Sequence, residues 1–201
     1  MPEITSSIFV LGLWAVIGYV LGSIPYGVLI ARVMNLGNLR EIGSGNIGAT
    51  NVLRTGNKKA AALTLLFDAG KGAVAVLAAR FLAAEDAAQI AALAAFLGHC
   101  FPVWLGFKGG KGVATYFGLL LALSLVTGLI AGAIWLLVAA LSRYSSLSAL
   151  MAAGWAPVVM AFRDEGHMFY LGMALALLIY LRHWSNIGRL RKGTETKIGS
   201  K

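Results

Sequence analysis

Three polar segments carry most of the side chains that could do chemistry. The first, residues 40–54, has glycines at positions 43, 45 and 48, and between them stand neutral donors and a closing arginine: Ser44, Asn46, Thr50, Asn51 and Arg54. Glycines let successive backbone N–H groups converge on an anion, and a guanidinium offers a planar fork to phosphate oxygens. The segment therefore suits phosphate binding, although an ordinary flexible loop would explain the spacing equally well.

The second segment, residues 98–115, places two lysines among glycines: His99, Lys108, Gly109, Gly110 and Lys111. It is not a nucleotide-binding P-loop, because Gly112 stands where a Ser or Thr would hold magnesium. Lysines and glycines beside a helix start can still cradle an oxyanion. The alternative, a basic loop on the cytoplasmic side of a membrane, explains the charges but leaves the glycines unexplained.

The third segment, residues 183–195, begins with His183 and Asn186 and continues into a basic tail. The two residues are three positions apart, so on a continuing helix they share a face and point to the same place. A basic tail next to a membrane is usually an anchor to acidic lipid, but that role does not need the histidine or the asparagine.

The elements that position these segments lie in a membrane. Of 201 residues, 59% are hydrophobic and only 12% are charged, which is too apolar for the wetted surface of a soluble domain. The net charge of +9 does not indicate nucleic-acid binding, because the basic residues stand between apolar runs and are not gathered on a polar face. The single cysteine, Cys100, excludes a multi-cysteine metal site.

Hydropathy divides the chain into apolar runs, which lie at Ile8–Ala31, Ala60–Leu82, Ala87–Leu105, Ala114–Leu141, Leu147–Phe162 and His167–Leu181. Basic residues on both sides of the last three runs require an even number of crossings between them if both sides are cytoplasmic. We therefore predict that the 28-residue run breaks near Val126-Thr127-Gly128, which gives seven spans, with five or six as alternatives. The amino terminus is then outside, and the carboxy terminus and all three polar segments face the cytoplasm.

Two features inside the runs predict structure and carry no chemistry of their own. Asp68 and Lys71 are three positions apart and should pair across one helical turn, as a structural pair or a support for the first segment; a proton path is the alternative. Small residues four apart, Gly18 with Gly22 and Gly128 with Gly132, should allow close helix packing.

The three segments resemble the signature motifs of the acyl-phosphate:glycerol-3-phosphate acyltransferase family, PlsY. The resemblance rests on G-S-G-N-I-G-A-T-N from Gly43, G-H-x-F-P from Gly98, F-K-G-G-K-G-V-A-T from Phe107 and the stretch His183–Glu195. Their order and spacing are similar to those of the family, and the match extends over essentially the whole chain. Gly22-Ser23-Ile24-Pro25 also fits, and the variation at Cys100 and Trp104 is between apolar residues.

The resemblance implies an all-α, polytopic membrane bundle in which residues 1–201 form a single acyltransferase domain. It implies transfer of a fatty acyl group from acyl phosphate to the 1-position of glycerol 3-phosphate, giving lysophosphatidic acid and phosphate for bacterial phospholipid synthesis. The enzyme would lie in the inner membrane with its site facing the cytoplasm, and could contact the soluble phosphate acyltransferase that makes acyl phosphate. No cofactor, metal or nucleic acid is implied.

By motif position, the resemblance makes Ser44, Arg54, His183 and Asn186 the catalytic residues. The resemblance also marks the two lysines of the second segment, and together with residues chosen for their own chemistry we predict the following to bind substrate: Asn46, Thr50, Asn51, His99, Lys108, Gly109, Gly110 and Lys111. The general base stays open between His183, His99 and the substrate phosphate. A transporter or anion channel is the competing class, and it is disfavoured because the chain shows no convincing repeat and its polar groups lie at one face.

Overall fold

The computed structural model of the protein describes residues 2–199, so both ends of the predicted domain lie outside the described part. Within it the chain is all-helical, which confirms the predicted fold class. The helices are α1 Ile8–Gly22, α2 Tyr26–Val33, α3 Ala49–Leu53, α4 Lys58–Leu82, α5 Glu85–Cys100, α6 Val113–Leu123, α7 Leu125–Ser142, α8 Ser145–Phe162, α9 Gly166–Arg182 and α10 Trp184–Arg191, with a short 3₁₀ turn at Val103–Leu105.

The bundle presents an apolar exterior. Five helical segments are long and apolar enough to cross a bilayer, namely Ile8–Val33, Lys58–Leu82, Glu85–Leu105, Leu125–Ser142 and Ser145–Phe162, and Val113–Leu123 and Gly166–Arg182 are shorter apolar helices. Large apolar side chains such as Leu66 and Phe81 on α4 face outward, which is favourable only in lipid. The protein is therefore an integral membrane protein with seven apolar helical segments, and seven complete crossings remain a prediction.

The 28-residue apolar run does break, at Ser124, two residues before the predicted position. Ser124 is extended, and its hydroxyl accepts a hydrogen bond from the backbone N–H of Thr127 at 3.2 Å, which caps the start of α7. Glu165 accepts from both Ser124 Oγ and Thr127 Oγ1, at 2.8 and 2.7 Å. The Thr127 N–H and the two hydroxyls at the break are thus hydrogen-bonded within the protein.

Small residues set the closest helix contacts. A Cβ added at Gly18 would lie 2.5 Å from the carbonyl oxygen of Ala91, and one at Gly22 would overlap the backbone of Ala95. The predicted close packing of α1 is therefore confirmed, with α5 as its partner. The second predicted pair is only half right: Gly128 packs against Leu121 of α6, whereas Gly132 faces open space.

At the end of the bundle opposite the polar segments, Asp86 fastens the amino-terminal segment. Its carboxylate accepts hydrogen bonds from the backbone N–H groups of Thr5 and Ser6, at 2.9 and 2.7 Å, and from Ser6 Oγ at 2.8 Å. Hydrogen bonds to a charged acceptor are stronger than those to a neutral one.

We expect Asp86→Asn to release this segment, because the amide nitrogen cannot accept a hydrogen bond. The variant should lose about 1–3 kcal/mol of unfolding free energy and be cleaved sooner by protease before α1, as measured by thermal unfolding and limited proteolysis in detergent. Glu41→Gln is the matched control, since Glu41 is exposed. Equal melting temperatures for wild type and Asp86→Asn would contradict the anchoring role.

Candidate active site

All three polar segments meet at one end of the bundle. Arg40, from the first segment, donates through its guanidinium to the backbone carbonyl of Lys108 in the second. Arg182, at the end of α9, donates to the carbonyls of Gly110 and Gly109 at 3.1 and 3.2 Å. Lys111 Nζ donates to Asn186 Oδ1 in the third segment at 2.6 Å. The segments are therefore parts of one structure, although up to 75 positions separate the bonded residues.

Asn51 organises the first segment. Its amide nitrogen donates to the carbonyls of Leu39 and Asn46, at 3.0 and 2.8 Å, and its oxygen accepts from the backbone N–H of Ser44 at 3.0 Å. Gly43 has a φ of +52°, in the left-handed region that favours glycine. Asn51 is 1% exposed and its polar atoms are committed to the loop. It therefore supports the backbone at Ser44 and Asn46, and its direct contact with substrate stays a prediction.

A cavity of about 410 Å³ lies where the segments converge. Three basic side chains line it, from Arg40, Lys111 and Arg182, together with residues that add neutral or small groups: Ser44, Gly45, Asn46, Gly109, Leu181, Trp184 and Ser185. Burial and the nearby charge of Arg182 lower the pKa of Arg40. No carboxylate lines this cavity among the described residues, so its three like charges are arranged to receive an anion.

Gly109 forms the floor of the cavity, and neither this residue nor the adjoining Gly110 has room for a side chain. The N–H groups of Gly109 and Gly110 donate to the carbonyls of Cys100 and His99, both at 3.1 Å, at the end of α5. A Cβ on Gly110 would overlap the imidazole Nε2 of His99, and one on Gly109 would overlap the carbonyl oxygen of His99. The two glycines thus let the second segment lie directly on α5 while its carbonyls hold Arg182.

A buried polar cluster lies beneath this floor. The predicted pair is confirmed, with Lys71 Nζ 2.9 Å from Asp68 Oδ1. Lys71 also donates to the carbonyl of Ile24 at 2.7 Å, and His99 Nδ1 is 3.7 Å from Asp68 Oδ1. His99 is 5% exposed and does not line the cavity. The structure therefore places this predicted substrate-binding residue under Gly109 and Gly110, outside the cavity lining.

His183, at the junction of α9 and α10, is buried beside the site. Its Nδ1 is 2.8 Å from the carbonyl oxygen of Ile179, and a carbonyl only accepts, so Nδ1 carries the proton and Nε2 holds the lone pair. Burial lowers the pKa of His183 to about 4. The imidazole is therefore neutral at physiological pH and is a weak base.

Lys111 and Asn186 form the link between the second and third segments. Burial, together with the nearby charge of Arg189, lowers the pKa of Lys111 to about 8, although Glu195 partly opposes the shift. Asn186 Nδ2 donates to Glu195 Oε1 at 2.6 Å, and the same oxygen accepts from Ser146 Oγ at 2.8 Å. The lysine therefore keeps its proton near neutrality and loses it slightly above.

The remaining predicted residues lie around this centre. Arg54 donates to Thr196 Oγ1 at 2.6 Å, and Thr50 Oγ1 is 3.4 Å from Ser145 Oγ at the start of α8. Lys108 is exposed and lines a separate, more apolar cavity of about 580 Å³ with Arg32 and Leu39. The structure thus separates Lys108 from Lys111, which were predicted to act together.

Among the residues that sequence reasoning missed, the structure brings these polar and charged ones to the site: Arg40, Ser146, Arg182 and Glu195. The two arginines have the same appearance in sequence as any basic residue next to a membrane span, and Ser146 lies in no motif. Only Glu195 had a signal, as an acidic residue within a basic tail. Residues 2–199 contain no cluster of three or more His, Cys, Asp or Glu that could hold a metal ion.

Comparisons with known proteins agree on one family. The family model described as glycerol-3-phosphate acyltransferase matches residues 12–193. Glycerol-3-phosphate acyltransferases from Cereibacter sphaeroides and Dinoroseobacter shibae are 59% and 60% identical to the chain over all of its 201 residues, covering 96% and 99% of the relatives' own lengths.

Solved structures are similar as well. The crystal structure of PlsY, an integral membrane glycerol 3-phosphate acyltransferase, in its glycerol 3-phosphate form has a TM-score of 0.89 at 36% identity, over 94% of this chain and 96% of that one. The form with lysophosphatidic acid has a TM-score of 0.85 at 34% identity, over 94% and 95%.

Proposed function

Because the chain belongs to the glycerol-3-phosphate acyltransferase family, and so transfers an acyl group to glycerol 3-phosphate, we propose that its donor is acyl phosphate and its acceptor the 1-hydroxyl. The products are then lysophosphatidic acid and inorganic phosphate. The site faces the cytoplasm from the inner membrane of a bacterium, and the donor arrives from a soluble phosphate acyltransferase that can contact this face.

The cavity lined by Arg40, Lys111 and Arg182 is the observation that carries the proposal. Acceptor and donor each bring a phosphoryl group, so the site must hold two multiply charged anions next to an apolar bundle. A thioester donor would bring no phosphoryl group to the reacting carbonyl. Three cations with the neutral donors Ser44 and Asn46 match the phosphoryl pair better than they match a thioester.

The reaction needs little from the protein beyond positioning. The acceptor oxygen attacks the acyl carbonyl carbon, the bond from that carbon to the phosphate oxygen breaks, and phosphate leaves with the bonding electrons. Acyl phosphate is a mixed anhydride, so its carbonyl is already activated. We assign the phosphoryl groups to the basic cavity, and orientation of glycerol 3-phosphate to His183 and Asn186. Arg54, whose charge acts on Lys111, stays a proposed catalytic residue.

The proton of the attacking hydroxyl goes to a phosphate oxygen in this proposal. His99 lies beneath Gly110 and outside the cavity lining, and the pKa of His183 is lowered to about 4, which makes it a poor base near neutral pH. A phosphate oxygen, with a second pKa of about 6, is closer to the operating pH. The apolar exterior of the bundle gives the acyl chain direct access from the bilayer.

We expect the purified protein in lipid nanodiscs to make lysophosphatidate from palmitoyl phosphate and labelled glycerol 3-phosphate. Palmitoyl coenzyme A and palmitoyl acyl carrier protein should give no product above background, and positional analysis should place the chain at the 1-position. Product from either thioester at a rate equal to that from acyl phosphate would reject the proposed donor. Phosphate flux across vesicles without any product would favour a transporter.

A further inference from the structure

We infer that Glu195 is a positioning residue, which orients the amide of Asn186 so that Lys111 is held over the phosphate-binding cavity. The inference rests on the proposed function and adds a residue outside the predicted site. Glu195 lies in the segment that follows the last helix, α10, and touches the cavity only through other side chains.

The chain reverses after α10 to bring Glu195 back to the site. Gly193 has a φ of +68°, and the N–H of Thr194 donates to the carbonyl of Arg189 at 2.9 Å, which is the pattern of a glycine-terminated helix. Further on, the N–H of Ile198 donates to the carbonyl of Arg143 at 2.6 Å. The tail is therefore held at both ends, and Glu195 lies between the two attachments.

The Glu195 carboxylate accepts hydrogen bonds from three side chains on two helices. Oε1 accepts from Ser146 Oγ at the start of α8 and from Asn186 Nδ2 on α10, at 2.8 and 2.6 Å. Oε2 accepts from Arg189 Nε at 2.6 Å. Burial alone would raise the pKa of Glu195, but hydrogen bonds from Asn186, Ser146 and Arg189 lower it overall. The carboxylate is therefore ionised at neutral pH and can only accept hydrogen bonds.

This acceptor fixes which way the Asn186 amide points. An asparagine amide has a donor end and an acceptor end, and its neighbours decide which end faces which. With Glu195 taking the nitrogen, the oxygen faces Lys111 Nζ at 2.6 Å. Without the carboxylate, nothing fixes the amide with its oxygen toward the ammonium, and any rotation that brings Nδ2 there would place two donors together. Lys111 would then lose its anchor and leave its place at the cavity.

The test compares Glu195→Ala and Glu195→Gln in the full-length protein in nanodiscs. Alanine removes both the acceptor and the charge, and should lower kcat/KM by about 100-fold, the loss typical of a misplaced reacting group. Glutamine keeps an acceptor oxygen for Asn186, so its loss should be about tenfold. Thr194→Ala is the matched control in the same tail, and should retain the wild-type kcat/KM because the Thr194 side chain contacts only a backbone carbonyl, at 3.5 Å.

The pH profile gives a readout that a merely structural role would not move. Charged groups facing Lys111 are Arg189, Arg182 and Arg54, which lower its pKa, and Glu195, which raises it. Removing Glu195 therefore lowers the Lys111 pKa from its value of about 8. If activity needs protonated Lys111, the rate falls as the pH rises through this pKa. The alkaline limb of the pH–rate profile should therefore move to lower pH in both Glu195 variants.

Three outcomes would overturn the role of Glu195. One is wild-type kcat/KM and an unmoved alkaline limb in Glu195→Ala, and another is an unmoved limb in a folded Glu195→Gln if alanine prevents folding. The third is a lower KM for glycerol 3-phosphate at unchanged kcat, which would make the carboxylate an intramolecular competitor of substrate phosphate. Absence of acyl transfer by the wild-type protein would instead reject the proposed function.

Discussion

Replacing Lys111 with methionine lowers kcat/KM for acyl transfer by about a thousandfold, the largest effect expected of any single side chain in this protein. Methionine keeps much of the length and apolar stem of lysine but removes the charge and the hydrogen bond to Asn186 Oδ1. Loss of a preorganised donor to a developing anion typically costs two to three orders of magnitude in rate. The measurement is initial rates of lysophosphatidate formation at pH 7, with both substrates varied.

Lys108→Met is the matched control for Lys111→Met. Both lysines lie in the same glycine-rich segment, but Lys108 is exposed and lines the second cavity. Only its backbone carbonyl is tied to the site, through Arg40, and methionine leaves that carbonyl in place. We expect a loss of about fivefold or less, from a weaker electrostatic field at the surface. Equal losses in the two variants would show that this cavity does not hold the reacting phosphates.

Much of the bundle could be predicted from hydropathy, because lipid makes the backbone form helices wherever the chain is apolar. The seven apolar helical segments lie where the sequence places them, and Asp68 pairs with Lys71 as their spacing predicts. The exact break in the long run was missed by two residues. Its position depends on capping by Ser124 and on Glu165, which is far from it in sequence, and neither gives a hydropathy signal.

The site was harder to predict because several residues act through backbone groups. Arg40 and Arg182 are held by carbonyls of the glycine-rich segment, and any residue type has such a carbonyl, so no motif marks the contact. Asn51 and Arg54 lie in the same predicted motif. Only the fold shows that the Asn51 amide hydrogen-bonds to the backbone of its own loop, whereas Arg54 hydrogen-bonds to Thr196 in the carboxy-terminal tail. Motifs predict where the site lies, and packing shows which groups its side chains contact.

Because carbonyls hold the arginines, the path of the glycine-rich backbone controls the charges around the cavity. The carbonyls of Gly109 and Gly110 both accept from Arg182, while their N–H groups are bonded to the end of α5. A shift of this strip of backbone, residues Gly109 and Gly110, would move Arg182 and Lys111 together. The close fit of the strip over His99 should therefore matter for activity, although His99 itself does not line the cavity.

Gly110→Ala tests this dependence, and we expect it to lower kcat/KM by about 100-fold. The added methyl group would overlap His99 Nε2, so the strip must lift or the imidazole must move away from Asp68. Misplacement of reacting groups by about 1 Å has effects of this size. Gly132→Ala is the control, since nothing lies within 4 Å of its added Cβ; it should keep wild-type activity. Both variants are compared by the same initial-rate assay.

A second substitution separates crowding from chemistry at His99. His99→Ala removes the atom that the new methyl group meets, so the Gly110→Ala/His99→Ala double variant should recover at least about tenfold of the lost kcat/KM. The two changes are then non-additive because they share one contact. His99→Ala alone should fold less stably, through the cavity beside Asp68, but still turn over. If His99→Ala alone is inactive while folded, and the double variant shows no recovery, then His99 acts directly on the substrates and the support role is wrong.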